Sequence, residues 1–134
     1  MSIQLYLFLI SEYNSYMLTL KDIVENLPIH LTYGADGWKN IQIKKMVAGD
    51  LMSDILVSTD ADNLLITSLA TEQAIRTADI VCAAAVLLVN DKLPSPAMKE
   101  LAEDSNITLL CSPFPMFETC AELTNLEFRL SLER

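Results

Sequence analysis

The sequence predicts an α/β fold: a small three-layer α/β/α domain with a largely parallel central sheet. Three observations predict it. Residues 84–89 are continuously apolar, and residues 107–110 nearly so, as in short strands buried on both faces. Helical spacing appears before and between them, with Ala74, Ile75 and Ala78 inward over about 71–81. It returns with Met98, Leu101 and Ala102 after Ser95-Pro96, a cap followed by a first-turn proline. Strand and helix alternating at this spacing require right-handed crossovers, so the strands run parallel under helices on both faces.

Size and charge narrow the function classes. The chain has 134 residues, enough for one domain with a core that needs no disulfide or metal. It is 51% hydrophobic with a mean hydropathy of +0.32, more apolar surface than a monomer of this size hides. A homodimer interface or a larger protein partner is therefore expected. The net charge of −9 argues against nucleic acid and anionic membranes, which need clustered Lys and Arg. Cys82, Cys111 and Cys120 are odd in number and lack C-x-x-C spacing, so they read as buried, reduced thiols of a cytoplasmic protein. Cys111 follows an apolar strand, where a pocket rim would lie. The lone histidine, His30, leaves no metal site.

At the amino end, residues 3–10 form an apolar run too short to span a bilayer. It also lacks the basic start and small-residue cleavage site of a signal peptide. It reads either as an added strand or as an extension upstream of a start at Met17. The second reading is favoured, dividing the chain into an extension (1–16), the α/β domain (17–125) and a tail (126–134). Thr19 caps a helix through Ile23, Val24 and Leu27, stopped by Pro28. Ile29, Leu31 and Tyr33 alternate with His30 and Thr32 as a half-buried strand, closed by the turn residues at 34–37. Trp38, Ile41 and Ile43 lead into the next strand, where Lys44 and Lys45 break the alternation. A bulge or sheet edge is expected there. The two lysines read as a solvated edge, or as an attraction for an anion toward Gly49.

The chain is organised around the stretch 42–56. A strand ends at Ala48, Gly49 makes a sharp turn, and Asp50 caps a helix whose Leu51, Ile55 and possible third member Met52 face inward. Residues 63–67 form the following strand. Residues 115–123 form the last helix of the domain, with Phe117 and Cys120 on one side. The tail 126–132 alternates with period two and reads as a strand, a helix continuing from Leu123, or part of an interface.

In an open parallel sheet, ligands bind beyond the carboxyl ends of the strands. The candidates at those ends are Gly49, Asp50, Thr67, Ser68, Asn90 and Ser112, small or polar residues that ordinary turns also favour. Chemistry beyond binding finds little support. The three glycines make no phosphate-cradling loop, and a Ser-His-Asp or Cys-His arrangement would have to use His30 in an unrelated early strand. Asp60, Asp62, Glu100, Glu103 and Asp104 fall in loops or on exposed helix faces. No catalytic residue, cofactor or metal is assigned, and an enzyme is not expected.

From about Leu18 to Leu123 the chain resembles the DRTGG domain family. The matching segments are 47–56, 64–67, 87–89 with Pro94 after it, and Ser112-Pro113 through Phe117-Glu118. The resemblance implies a small α/β unit, similar in fold to the N-terminal domain of HPr kinase. Such units accompany CBS domains in regulated pyrophosphatases and catalytic domains in some phosphotransacetylases. It implies a regulatory or dimerising module rather than a catalyst. The naming letters, Asp-Arg and Thr-Gly-Gly, are absent from the matching positions near Ala70-Thr71 and Val89-Asn90-Asp91, so a ligand held through them is not implied.

Self-association is the first functional expectation. Trp38, Met46, Met52, Phe114, Met116, Phe128, Leu130 and Leu132 find no obvious place in the core, and such residues favour self-associating surfaces. A small-metabolite or nucleotide sensor at the strand ends is the alternative.

Overall fold

The computed structural model describes residues 2–6, 16–58 and 60–133. Its central sheet contains β2 (His30–Tyr33), β4 (Lys45–Ala48), β5 (Asn63–Thr67), β6 (Ala85–Leu88) and β7 (Thr108–Cys111). The order is β2-β7-β6-β5-β4, parallel throughout except for the antiparallel pair β2 and β7. A separate antiparallel ribbon joins β1 (Leu18–Thr19) to β3 (Gln42–Ile43). The helices are α1 (Leu20–Asn26), α2 (Met52–Ser58), α3 (Glu72–Ile80), α4 (Pro96–Ser105) and α5 (Met116–Leu132).

The period-two alternation of the strands divides the core. Leu64, Ile66, Ala85 and Leu87 pack with Leu20 and Ile23 of α1 and Leu123 and Leu126 of α5. Leu65, Val86 and Leu88 point the other way, onto Met52 and Ile55 of α2, Ala74, Ile75 and Ala78 of α3, and Met98 and Ala102 of α4. Both sheet faces are therefore covered, giving the three-layer α/β/α arrangement expected from the apolar strands.

Local chemistry sets several boundaries. Thr19 and Asp22 form a reciprocal capping box at α1, and Ser95 accepts from Met98 N at 3.1 Å to cap α4. Helix α4 ends at Asn106, whose φ of 55° is left-handed. In β2 the register passes from Leu31↔Leu110 to Tyr33↔Leu109, leaving Thr32 as an extra residue. This bulge sends Leu31 to one core cluster and Tyr33 to the other, so the expected one-sided alternation does not hold.

Other expectations change around the organising stretch. Helix α2 starts at Met52, not Asp50, and Leu51 is 61% exposed while Met52 and Ile55 are buried. Gly49 does not have a left-handed φ, and a Cβ there would meet only Ile55 Cδ1 at an ordinary 3.6 Å. Lys44 separates β3 from β4, and Lys45 opens β4 at the end opposite Gly49, about 13 Å away by strand rise. An anion drawn by these lysines would not reach Gly49.

The last helix also differs. Phe117 is 83% exposed, and Thr119, Leu123 and Leu126 take the inward face instead, with Cys120 half-buried beside them. Among the three readings of the tail, the helix is the one observed: α5 continues through Leu132. Residues 3–6 form a helical turn rather than a strand, and residues 7–10 lie outside the described ones. Several of the apolar residues without an evident place have one. Met52 is buried, and Trp38, Met46, Met116 and Leu130 pack against the cluster beneath α1 and α5.

Candidate functional site

The carboxyl ends of β4, β5, β6 and β7 lie along one edge of the sheet, which is where the candidate residues fall. Gly49 continues the β4 ladder, its amide donating to Ile66 O at 3.0 Å. Asp50 then turns toward β5 and does not cap α2. Its Oδ1 accepts from Ser68 N at 2.7 Å and Thr67 Oγ1 at 3.0 Å, and its Oδ2 accepts from Ser68 Oγ at 2.7 Å. The carboxylate thus ties two neighbouring strand ends together.

These contacts hold the Asp50 carboxyl below the usual aspartate range. The Ser68 amide contributes most. Burial opposes it, and the Ser68 and Thr67 hydroxyls and the Lys92 charge add to the lowering. An Asp before a helix satisfies free helix amides in many sequences, which is why the local pattern suggests a cap. Here the end of β5, brought alongside by its parallel pairing with β4, presents an amide and two hydroxyls, and those donors win the carboxylate.

Asn90 and Ser112 belong to a second group at the ends of β6 and β7. Asn90 and Asp91 both adopt left-handed φ, 64° and 56°. Their amides donate to Phe114 O at 2.8 Å and Ser112 O at 3.1 Å, which holds this turn against its strain. Ser112 is 2% exposed, and its hydroxyl lies 2.8 Å from Thr119 Oγ1 while accepting from Phe114 N at 3.2 Å. Ser112 therefore closes the turn into α5 and does not line an open site.

The structure brings Asp50, Thr67 and Ser68 into one hydrogen-bonded cluster, while Asn90 and Ser112 join through backbone contacts around Phe114. The Ser112–Thr119 pair is not evident from the sequence. Its signal is a serine at a strand end seven residues before a threonine on the inward face of the next helix. The exposed apolar side chains Leu51, Leu93 and Phe117 follow β4, β6 and β7 and rim this polar edge. The edge offers carboxylates at Asp50 and Asp91 and an exposed amide at Asn90, with Lys92 the nearby cation acting on Asp50.

Nucleophilic chemistry gains little from the geometry. His30 is not in an unrelated strand: it is the register partner of Cys111. The Cys111 thiol is buried 3.2 Å from Thr32 Oγ1, however, and His30 is exposed. Of the three cysteines expected to be buried, Cys82 is exposed, in a left-handed turn after α3. Among the described residues, no group of three or more His, Cys, Asp or Glu could hold a metal ion. Nor is any helix there long and apolar enough to cross a membrane.

Two clefts open at the other end of β4. One of 380 Å³ is lined by residues including Asn40, Gln42, Lys44 and Asp62, and one of 310 Å³ by residues including Tyr16, Lys45, Met46 and Glu127. Neither contains a candidate residue.

No protein-family model matches the chain, and no curated protein matches it. Among solved structures, it is similar to the CBS and DRTGG domains of the regulatory region of Clostridium perfringens pyrophosphatase, complexed with the activator diadenosine tetraphosphate. The identity is 16% and the TM-score 0.66, covering 87% of this chain and 48% of that one. The chain thus spans about half the length of the structure it matches. At this identity the likeness is one of architecture: a small α/β/α domain with a mostly parallel sheet, of the kind found in a CBS and DRTGG regulatory region.

Proposed function

We propose that the chain is a non-catalytic regulatory module of the cytoplasm that works by self-association, with residues 17–132 as its core, since α5 carries Leu126 and Leu130 onto the cluster beneath it, and residues 1–16 as an extension. The observation that carries this reading is the apolar surface left after folding. Leu51, Val57, Ile80, Leu93 and Phe117 each remain more than 60% exposed although both faces of the sheet are covered. The solved structure of similar fold is a regulatory region, which favours the same class. Sedimentation equilibrium at micromolar concentration and physiological salt tests it. A homodimer is expected, and a single species at 14.9 kDa overturns the reading.

A second reading, a small-metabolite or nucleotide sensor at the strand ends, is favoured by the placement of Asp50, Ser68 and Asn90 on one sheet edge. The similar structure is also a nucleotide complex. Two features weigh against it: the Asp50, Thr67, Ser68 and Ser112 side chains already bond within the protein, and the edge carries carboxylates that repel phosphate. A thermal-shift screen with diadenosine tetraphosphate, other nucleotides and small metabolites decides it, since a ligand of the native state raises its stability.

A further inference from the structure

We infer that two copies of this chain pair through the outer face of α5, the two helices lying side by side and antiparallel about a twofold axis level with Thr124 and Asn125. The inference rests on the self-association reading above and names its surface.

Helix α5 carries two apolar faces. At about 100° per residue, Thr119, Leu123, Leu126 and Leu130 share the face turned to the sheet, where the first three are buried and Leu130 packs on the core. Half a turn away, Phe117, Ala121, Phe128 and Leu132 fall within about 60° of one another. All four are exposed, Phe117 by 83%, Phe128 by 52% and Leu132 by 69%. The charged residues of the helix stand outside this stripe, with Glu118, Glu122 and Arg129 on one flank and Glu127 on the other. A helix that only faces water carries its charges outward. An apolar outer stripe bordered by charges is the pattern of a helix that packs against another.

Size and charge make that second helix α5 of another copy, running the opposite way. With the axis level with residues 124–125, the large Phe128 of one copy lies over the small Ala121 of the other, and Phe117 lies beside Leu132, each twice. Arg129 of the second copy then comes level with residue 120. It lies on the flank of Glu118 and Glu122, about 3 Å along the axis from each. Each guanidinium thus meets two carboxylates, and the match repeats across the axis. Among the described residues the ion pairs are Lys21–Glu25 and Arg76–Glu72, so none of these three charges is committed to one there.

A parallel pair loses both matches. It would stack Ala121 on Ala121, leaving a gap, and turn Glu118 and Glu122 toward the flank that carries Glu127 of the second copy. It would also align the two helix dipoles, whereas the antiparallel pair opposes them.

The test uses the full chain, sedimentation equilibrium at physiological salt and four variants. Ala121→Glu, which fills the space under Phe128 with a charge, should weaken the dimer about tenfold or more, and so should Arg129→Glu. The triple variant Glu118→Lys, Glu122→Lys, Arg129→Glu exchanges the charges across the axis and should recover most of the association that Arg129→Glu loses. Lys99→Glu on α4 changes the net charge as much as Arg129→Glu does and should leave the dimer unchanged. Circular-dichroism melts verify that each variant folds, as expected at exposed positions. A parent that sediments as a monomer overturns both self-association and this surface. A dimer that Ala121→Glu and Arg129→Glu leave as tight as the parent overturns this surface alone, and a triple variant no tighter than Arg129→Glu overturns the antiparallel pairing.

Discussion

Replacing Asp50 by Ala should destabilise the fold by about 1–2 kcal/mol, although the residue is exposed and lies outside any helix. Its carboxylate accepts two bonds from Ser68 at 2.7 Å and one from Thr67 at 3.0 Å. A hydrogen bond to a charged group contributes about 1.5–3 kcal/mol where water is excluded. Water reaches Asp50 and replaces part of each lost bond, so the three together are discounted to about 1–2 kcal/mol. For a domain of this length that corresponds to a melting point lower by about 3–8 °C.

The pH dependence separates this cause from a packing effect. Asp50 has a folded pKa below its unfolded value, so its stabilisation is fully present above the unfolded pKa and is lost as pH falls through the folded one. The gap between parent and Asp50→Ala should therefore be widest at neutral pH and narrow below about pH 4. Asp50→Asn keeps one acceptor oxygen but no charge, and should fall between them. Thermal melts followed by circular dichroism across that pH range measure all three proteins. A variant within about 1 °C of the parent at neutral pH, or a gap that acid does not narrow, refutes the reasoning.

Gly49→Ala should change stability by less than about 0.5 kcal/mol, since the glycine is not left-handed and the new methyl has room; denaturant titration measures it. Gly34→Ala should instead cost about 1–3 kcal/mol, because its Cβ would sit 2.5 Å from Trp38 Cδ1. Displacement of this single tryptophan should appear as a shift in fluorescence emission. Thr19→Ala should cost about 1 kcal/mol by opening the α1 capping box. For Asp22 in that box, burial raises the carboxyl pKa, but bonds from Thr19 N and the Tyr16 hydroxyl outweigh it and the net shift is downward. Its contribution should likewise fade in acid, and amide exchange in the first turn of α1 would report it.

Much of the fold is legible in local sequence. Residues 84–89 are apolar at every position because β6 is covered on both faces, and the Ser95-Pro96 pair marks the start of α4 by backbone chemistry alone. The position of the candidate residues at the strand ends is legible for the same reason: strand ends are punctuated by small polar residues. The roles of those residues are less so. Helical spacing around Phe117 and Leu51 permits more than one inward face, and both side chains face solvent.

What the sequence by itself determined is the architecture, because burial periodicity, caps and breakers act between residues close along the chain. Tertiary structure decided the partners. Asp50 lies next to Leu51 in sequence but bonds to Ser68, since parallel pairing of β4 with β5 brings Ser68 donors to its carboxylate. Ser112 finds Thr119, Trp38 finds the core beneath α1, and Thr32 becomes a bulge only because β2 must match β7. Each of these depends on which strand lies beside which, and hydrogen-bond donors separated along the chain compete on equal terms once folding brings them within reach.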